Sequence, residues 1–104
     1  NPSGTELQIE TIIDTGYTGF LTLPSQLIKE LSLVWLRRDH AYLADETETV
    51  FDVYEASVMW DGKPRRIVVD EVDSDSLLGM SMLAEYQLIM NVRDGGEVTI
   101  EALP

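Results

Sequence analysis

Asp14-Thr15-Gly16 is the segment of this 104-residue sequence best placed to do chemistry. The apolar pair Ile12-Ile13 leads into it and Phe20-Leu21 follows, so the carboxylate is expected where ionisation is costly and must be compensated. Taken alone the triplet reads equally well as a hydrogen-bonded turn aspartate. A second element lies some sixty residues downstream: Leu77-Leu78-Gly79 follows the β-rich run Ile67-Val68-Val69 and precedes a short helical pattern. Other chemistries fail on residue type or spacing. Gly79-Met80-Ser81-Met82-Leu83 begins like a nucleophile elbow but lacks the closing glycine, and the single histidine, His40, lies on another element. Gly62-Lys63 has neither the glycine-rich lead nor the following Ser/Thr of a phosphate-binding loop, and Gly16 with Gly19 makes no dinucleotide fingerprint. The acidic run from Asp70 to Asp75 misses the register of a calcium loop and reads as a solvated acidic turn.

The elements that would position Asp14 follow from patterning. Leu7 and Ile9 alternate with Glu6, Gln8 and Glu10, which predicts a strand with one wet face running into Ile12-Ile13. Pro24 suits the first turn of a helix that Ser25 would cap, with Leu27, Ile28 and Leu31 on one face. Tyr42-Leu43, 50–54, 56–60 and 66–69 read as strands joined by tight turns. Asp61-Gly62 is the strongest hairpin signal, because glycine accepts the positive φ that such a turn demands. Asp45-Glu46-Thr47-Glu48 is expected to be a second, solvent-facing turn. A short helix over 80–86 and a final hairpin, 88–92 with 98–100, complete a mostly β domain with two short helices.

Composition agrees with one domain spanning 1–104. Hydrophobic residues make up 44% and charged residues 25%, and no linker or internal repeat divides the chain. Nineteen acidic residues against seven basic ones give a net charge of -12, which repels a phosphate backbone, so no nucleic-acid partner is expected. The absence of cysteine removes thiolate nucleophiles, disulfides and the usual zinc ligand sets. No apolar run approaches the roughly 18 residues of a membrane span. The opening Asn1-Pro2-Ser3-Gly4 lacks the features of a signal peptide and reads as a trimmed start, so no membrane partner and a cytoplasmic location are expected.

In the order and spacing of its two motifs, over about residues 5–103, the sequence resembles the retropepsin-like aspartic proteases, in particular their single-lobe cellular and bacterial branch. In that family an apolar strand ends in Asp-Thr/Ser-Gly, matched by Ile12-Ile13-Asp14-Thr15-Gly16. A flap hairpin follows, matched by 42–51, then a hairpin turning at Asp61-Gly62-Lys63, the apolar-apolar-Gly motif at Leu77-Leu78-Gly79, and a helix. The resemblance implies a retropepsin-like acid-protease fold closed as a homodimer, because the chemistry needs two carboxylates and each chain supplies one such triplet. It implies that Asp14 activates a water, that Thr15 bonds across the two-fold axis, and that Gly16 keeps the approach to the carboxylates clear of a side chain. Leu77, Leu78 and Gly79 would support the catalytic loop from below. Tyr17, Tyr42, Leu43, Ala44, Asp45 and Glu46 would contact a substrate held as an extended peptide, and no cofactor or metal is implied. Where retroviral members carry a small residue after the triplet and glycines at the flap tip, this chain has Tyr17 and an acidic tip. Residues 88–103 would carry dimerisation through an intermolecular sheet. A second reading keeps the fold without the chemistry: an inactive module that binds extended peptides or mediates dimerisation.

The remaining conspicuous residues take plainer readings. Trp35 and Trp60 are expected in the core or a pocket wall, Met80, Met82 and Met90 as packing filler, Arg37-Arg38 and Arg65-Arg66 as surface charge, and His40 at the surface.

Overall fold

The hairpin at Asp61-Gly62 sets the architecture. Both residues have positive φ, 52° and 77°, and Trp60 pairs directly with Lys63, so the connection is a two-residue turn whose twist matches that of its strands. A computed structural model describes residues 6–42 and 45–104. In it the chain runs β1 (Ile12–Ile13), β2 (Leu21–Leu23), α1 (Ser25–Glu30), β3 (Val34–Tyr42), β4 (Glu48–Trp60), β5 (Lys63–Glu71), β6 (Leu77–Leu78), α2 (Met80–Leu83), β7 (Tyr86–Met90) and β8 (Val98–Ala102). The protein is mostly β with two short helices, as the patterning predicts.

Six strands form one sheet in the order β1-β6-β2-β5-β4-β3, and β7 with β8 forms a second. β6 therefore lies between two strands that are neighbours in sequence, parallel to β1 and antiparallel to β2. This insertion brings residues 77–79 up against residues 14–20. Leu21, Leu23, Ile28, Ala56, Ile67, Val69, Leu78 and Met82 make the buried core, with Leu88 and Ile100 of the second sheet packed onto it. β2 is buried at all three positions, which an apolar Leu-Thr-Leu run achieves because Thr22 spends its hydroxyl accepting the Leu77 N–H at 2.8 Å.

Several elements differ from their sequence-based outlines. The first strand shrinks from 7–13 to Ile12–Ile13, because β1 is a sheet edge and its neighbour β6 is only two residues long; Ile9 and Ile13 still pack on the core. The two strands expected over 50–60 are one 13-residue strand, continuous through Glu55, which pairs with Val34 and Val68 and meets the Arg66 Nε at 2.7 Å. α2 stops at Leu83 rather than reaching 86, since Ala84 is extended and Glu85 takes φ of 71°. Ser25 does not cap α1; Pro24 holds the cap position without a side-chain bond, and the Ser25 hydroxyl goes instead to Glu71 and Asp73. That pairing also corrects the reading of 70–75: Asp70 and Glu71 belong to β5, are half-buried and accept hydrogen bonds. Trp35, expected inside, is 55% exposed on the edge strand, where its indole N–H donates to Asp52 at 3.0 Å. Trp60 does pack on the core, edge to face with Tyr86 at 5.5 Å. Met82 is buried, whereas Met80 and Met90 are nearly half exposed.

Candidate active site

Asp14 stands at the end of β1, where the parallel ladder to β6 gives out. Its backbone N–H donates to the Leu78 carbonyl at 2.9 Å, the last rung above Ile12 N–H to the Ser76 carbonyl at 2.8 Å. The chain then turns, with Tyr17 N–H donating back to the Asp14 carbonyl at 3.1 Å. Inside that turn the Gly16 N–H donates to the Asp14 carboxylate (Oδ1) at 2.9 Å, which fixes the orientation of the carboxyl group. A Cβ at residue 16 would come within 3.2 Å of the same oxygen, so glycine gives this approach room that a side chain would take. Asp14 is half-buried, and Thr15 and Gly16 are exposed. The segment presents one oriented carboxylate beside two exposed residues, Thr15 and Gly16.

Residues 17–20 are clamped to 79–81. Gly79 N–H donates to the Phe20 carbonyl at 3.0 Å, Met80 N–H to the Tyr17 carbonyl at 2.8 Å and Ser81 N–H to the Gly19 carbonyl at 3.1 Å. The Ser81 hydroxyl adds a bond to the Thr18 carbonyl. Gly79 is required by this closeness: a Cβ there would overlap the Gly19 carbonyl oxygen and the Tyr17 ring. Leu78 is buried in the core directly beneath, and Leu77 is half-buried beside it. The structure thus brings Asp14, Thr15, Gly16, Leu77, Leu78 and Gly79 into one unit.

Tyr17, expected to face substrate, turns its phenol toward the sheet. Its hydroxyl donates to Asp70 (Oδ2) at 2.6 Å. Burial first, and then the bond to the Asp70 carboxylate, pushes this hydroxyl far above the ordinary phenol range, so it remains a donor.

The β3–β4 hairpin projects from the far edge of the same sheet. Pairing alternates its faces: Arg37 with Val53, Asp39 with Phe51 and Ala41 with Thr49 share one side, and Val53 in turn pairs with Asp70. Because Tyr17 ties the Asp14 loop to Asp70, this is the side the loop occupies. Tyr42 lies on the opposite side, 68% exposed and edge to face with His40. At the tip the Thr47 side chain first, and then its N–H donating to Asp45 at 3.0 Å, holds the Asp45 carboxyl below the usual range, and Glu46 takes φ of 68°; both residues build the turn. Leu43 and Ala44 lie outside the described residues. Ala41, Thr49 and Phe51, which face the loop's side, were legible only by counting alternation outward from buried Val53.

A shallow groove of about 430 Å³ opens on this side of the sheet, floored by Phe20, Leu36, Ile67 and Val68, with the Glu55–Arg66 pair at its rim. Arg65 is not the surface charge expected of it. It lies over the Phe20 ring at 5.5 Å and donates to the Met82 carbonyl at 3.0 Å, tying the groove floor to α2. Among the described residues no group of three or more His, Asp or Glu side chains is arranged to hold a metal ion, and no helix is long and apolar enough to cross a membrane. Comparison with protein-family models, with curated proteins and with solved structures finds no match to this chain.

Proposed function

We propose that the chain is one half of a retropepsin-like aspartic endopeptidase, and that two copies meet about a two-fold axis with their Asp14 carboxylates face to face. The observation that carries this reading is the oriented carboxylate of Asp14 at an open strand end, held by Gly16 and by the 77–79 segment inserted between β1 and β2. A lone carboxylate has no partner with which to divide acid and base roles; a second copy supplies one. In the dimer one Asp14 is ionised and takes a proton from water as its oxygen attacks the scissile carbonyl carbon. The other, protonated, gives its proton to the carbonyl oxygen. Collapse of the resulting diol breaks the C–N bond as the first carboxyl hands its proton to the leaving nitrogen and the second carboxylate takes back a diol hydroxyl proton, so the C=O reforms and the pair returns to its starting state. No metal or organic cofactor enters the scheme.

The substrate is an extended peptide, laid between the Asp14 loop and the inner side of the β3–β4 hairpin, where backbone hydrogen bonds supply affinity. An apolar side chain of that peptide fits the groove over Phe20 and Val68. Exposed apolar residues on the second sheet, Met90 and Val98 in one pair with Val92 beyond them, support a dimer contact through 88–103. Fluorescein-labelled casein incubated with the protein between pH 4 and 7 tests the reading. The wild type should release labelled peptides and Asp14→Asn should release none while sedimenting as the same dimer. Cleavage retained in Asp14→Asn ends the proposal, and an inert wild-type dimer favours the peptide-binding module instead.

A further inference from the structure

The 17–20 to 79–81 clamp would be a purely local cross-link but for the Tyr17 side chain. Its ring lies between two glycines: a Cβ at Gly19 would overlap the phenol end, and one at Gly79 would overlap the ring edge. From there the hydroxyl crosses to Asp70 at 2.6 Å, 53 residues away in sequence and on β5. Asp70 pairs with Val53, whose side chain is fully buried, and with Thr22 of β2, so it sits on an interior strand of the sheet, paired on both sides. Three pieces of chain thus meet on one side chain: the loop bearing Asp14, the 77–79 segment, and the central sheet. The turn that orients the carboxylate runs from Asp14 to this junction, since Gly16 N–H holds Asp14 Oδ1 and Tyr17 N–H holds the Asp14 carbonyl.

We infer that Tyr17 is a positioning residue, a strut whose hydrogen bond to Asp70 fixes the turn that aims the Asp14 carboxylate. Its part in catalysis rests on the protease reading above; its mechanical part does not. A carboxyl group on a free loop would sample many directions, whereas proton sharing between two copies demands one. The strut supplies that restriction from the sheet rather than from the loop itself. A phenol suits the task because it spans the clamp with two side-chain torsions and ends in a donor, and a charged acceptor makes the bond one of the stronger kinds.

The Gly16 amide proton reports the carboxylate directly, because it bonds Asp14 Oδ1 and its NMR shift follows the ionisation of that group. The full chain is titrated from pH 2 to 8 by NMR as wild type, Tyr17→Phe, Asp70→Ala, Asp70→Asn and the double variant Tyr17→Phe/Asp70→Ala, with amide exchange measured at one pH. Tyr17→Phe keeps the ring between the glycines and removes only the donor. It should shrink the Gly16 titration amplitude and speed exchange of the Tyr17 and Met80 amides about tenfold or more, with the β4 and β5 amides unchanged. Asp70→Ala should do the same, the double variant should add nothing further, and Asp70→Asn, whose neutral amide oxygen still accepts, should fall between wild type and Asp70→Ala. Unchanged Gly16 amplitude and Met80 exchange in both Tyr17→Phe and Asp70→Ala overturn the inference, as does additivity in the double variant. In casein cleavage Tyr17→Phe should lower kcat with KM unchanged, and an unchanged kcat beside a loosened turn overturns the catalytic part. A wild type that cleaves nothing ends the protease reading alone, because the NMR result still decides the strut.

Discussion

Ser25 offers one hydroxyl proton and one backbone N–H to two carboxylates, Glu71 and Asp73. The N–H reaches Asp73 at 2.8 Å, and this bond first, then the hydroxyl, holds the Asp73 carboxyl below the ordinary range. A carboxyl depressed in the fold stabilises the protein above its unfolded value, and that stabilisation is lost as pH falls through the folded value. Asp73→Asn should therefore lower the urea midpoint at pH 7, and the difference should shrink as pH falls below the ordinary carboxylate range, so the acid limb of the stability profile becomes shallower; parallel curves for the two proteins contradict the assignment. Asp14, Thr15, Gly16 and Gly79 could be read from the sequence because their types are constrained by chemistry and close approach. Tyr17, Asp70 and Arg65 could not. Each is a common surface residue type whose partner lies 17 to 53 positions away, and nothing local separates a phenol that reaches Asp70 from one that faces a ligand.

Elements were legible where a turn or a periodic apolar face carries the instruction and obscure where pairing does. Asp61-Gly62 announces its hairpin through the need for positive φ, and Ile28 and Leu31 mark the buried face of α1. β3 was hidden because it runs through Arg37-Arg38-Asp39-His40 at a sheet edge, exposed along nearly its whole length, so hydrophobic alternation had nothing to record. β1 was overread for the opposite reason: alternation from Leu7 onward finds no partner strand before Ile12. Gly79 leaves no room for a side chain, since a Cβ there would overlap the Gly19 carbonyl oxygen and Tyr17. Gly79→Ala should cost about 2 kcal/mol or more by chemical denaturation, because backbone must move to admit the methyl group. Gly62→Ala, where only the positive φ is at stake and space is open, should cost about 1 kcal/mol. Equal costs at the two positions contradict the clamp.

At the scale of the whole molecule, charge and function pull against each other. Each copy carries a net charge of -12, yet the proposed chemistry requires two copies in contact. Repulsion between them is screened by salt, over about 10 Å at 0.1 M, and relaxed by protonation of carboxylates. The dimer should therefore tighten as ionic strength rises and as pH falls from 7 towards 5, measured by sedimentation, and below its dissociation constant casein cleavage should rise with the square of protein concentration. A first-order dependence, or a dimer that loosens with salt, contradicts the arrangement. No pattern in the sequence announced the sheet order β1-β6-β2-β5-β4-β3, because the placing of a two-residue strand between two others is decided by long-range pairing. The most direct test is the separation of the two Asp14 carboxyl groups in a crystal of the dimer. Proton sharing predicts oxygens about 3 Å apart across the axis; a dimer that holds them more than about 6 Å apart contradicts it.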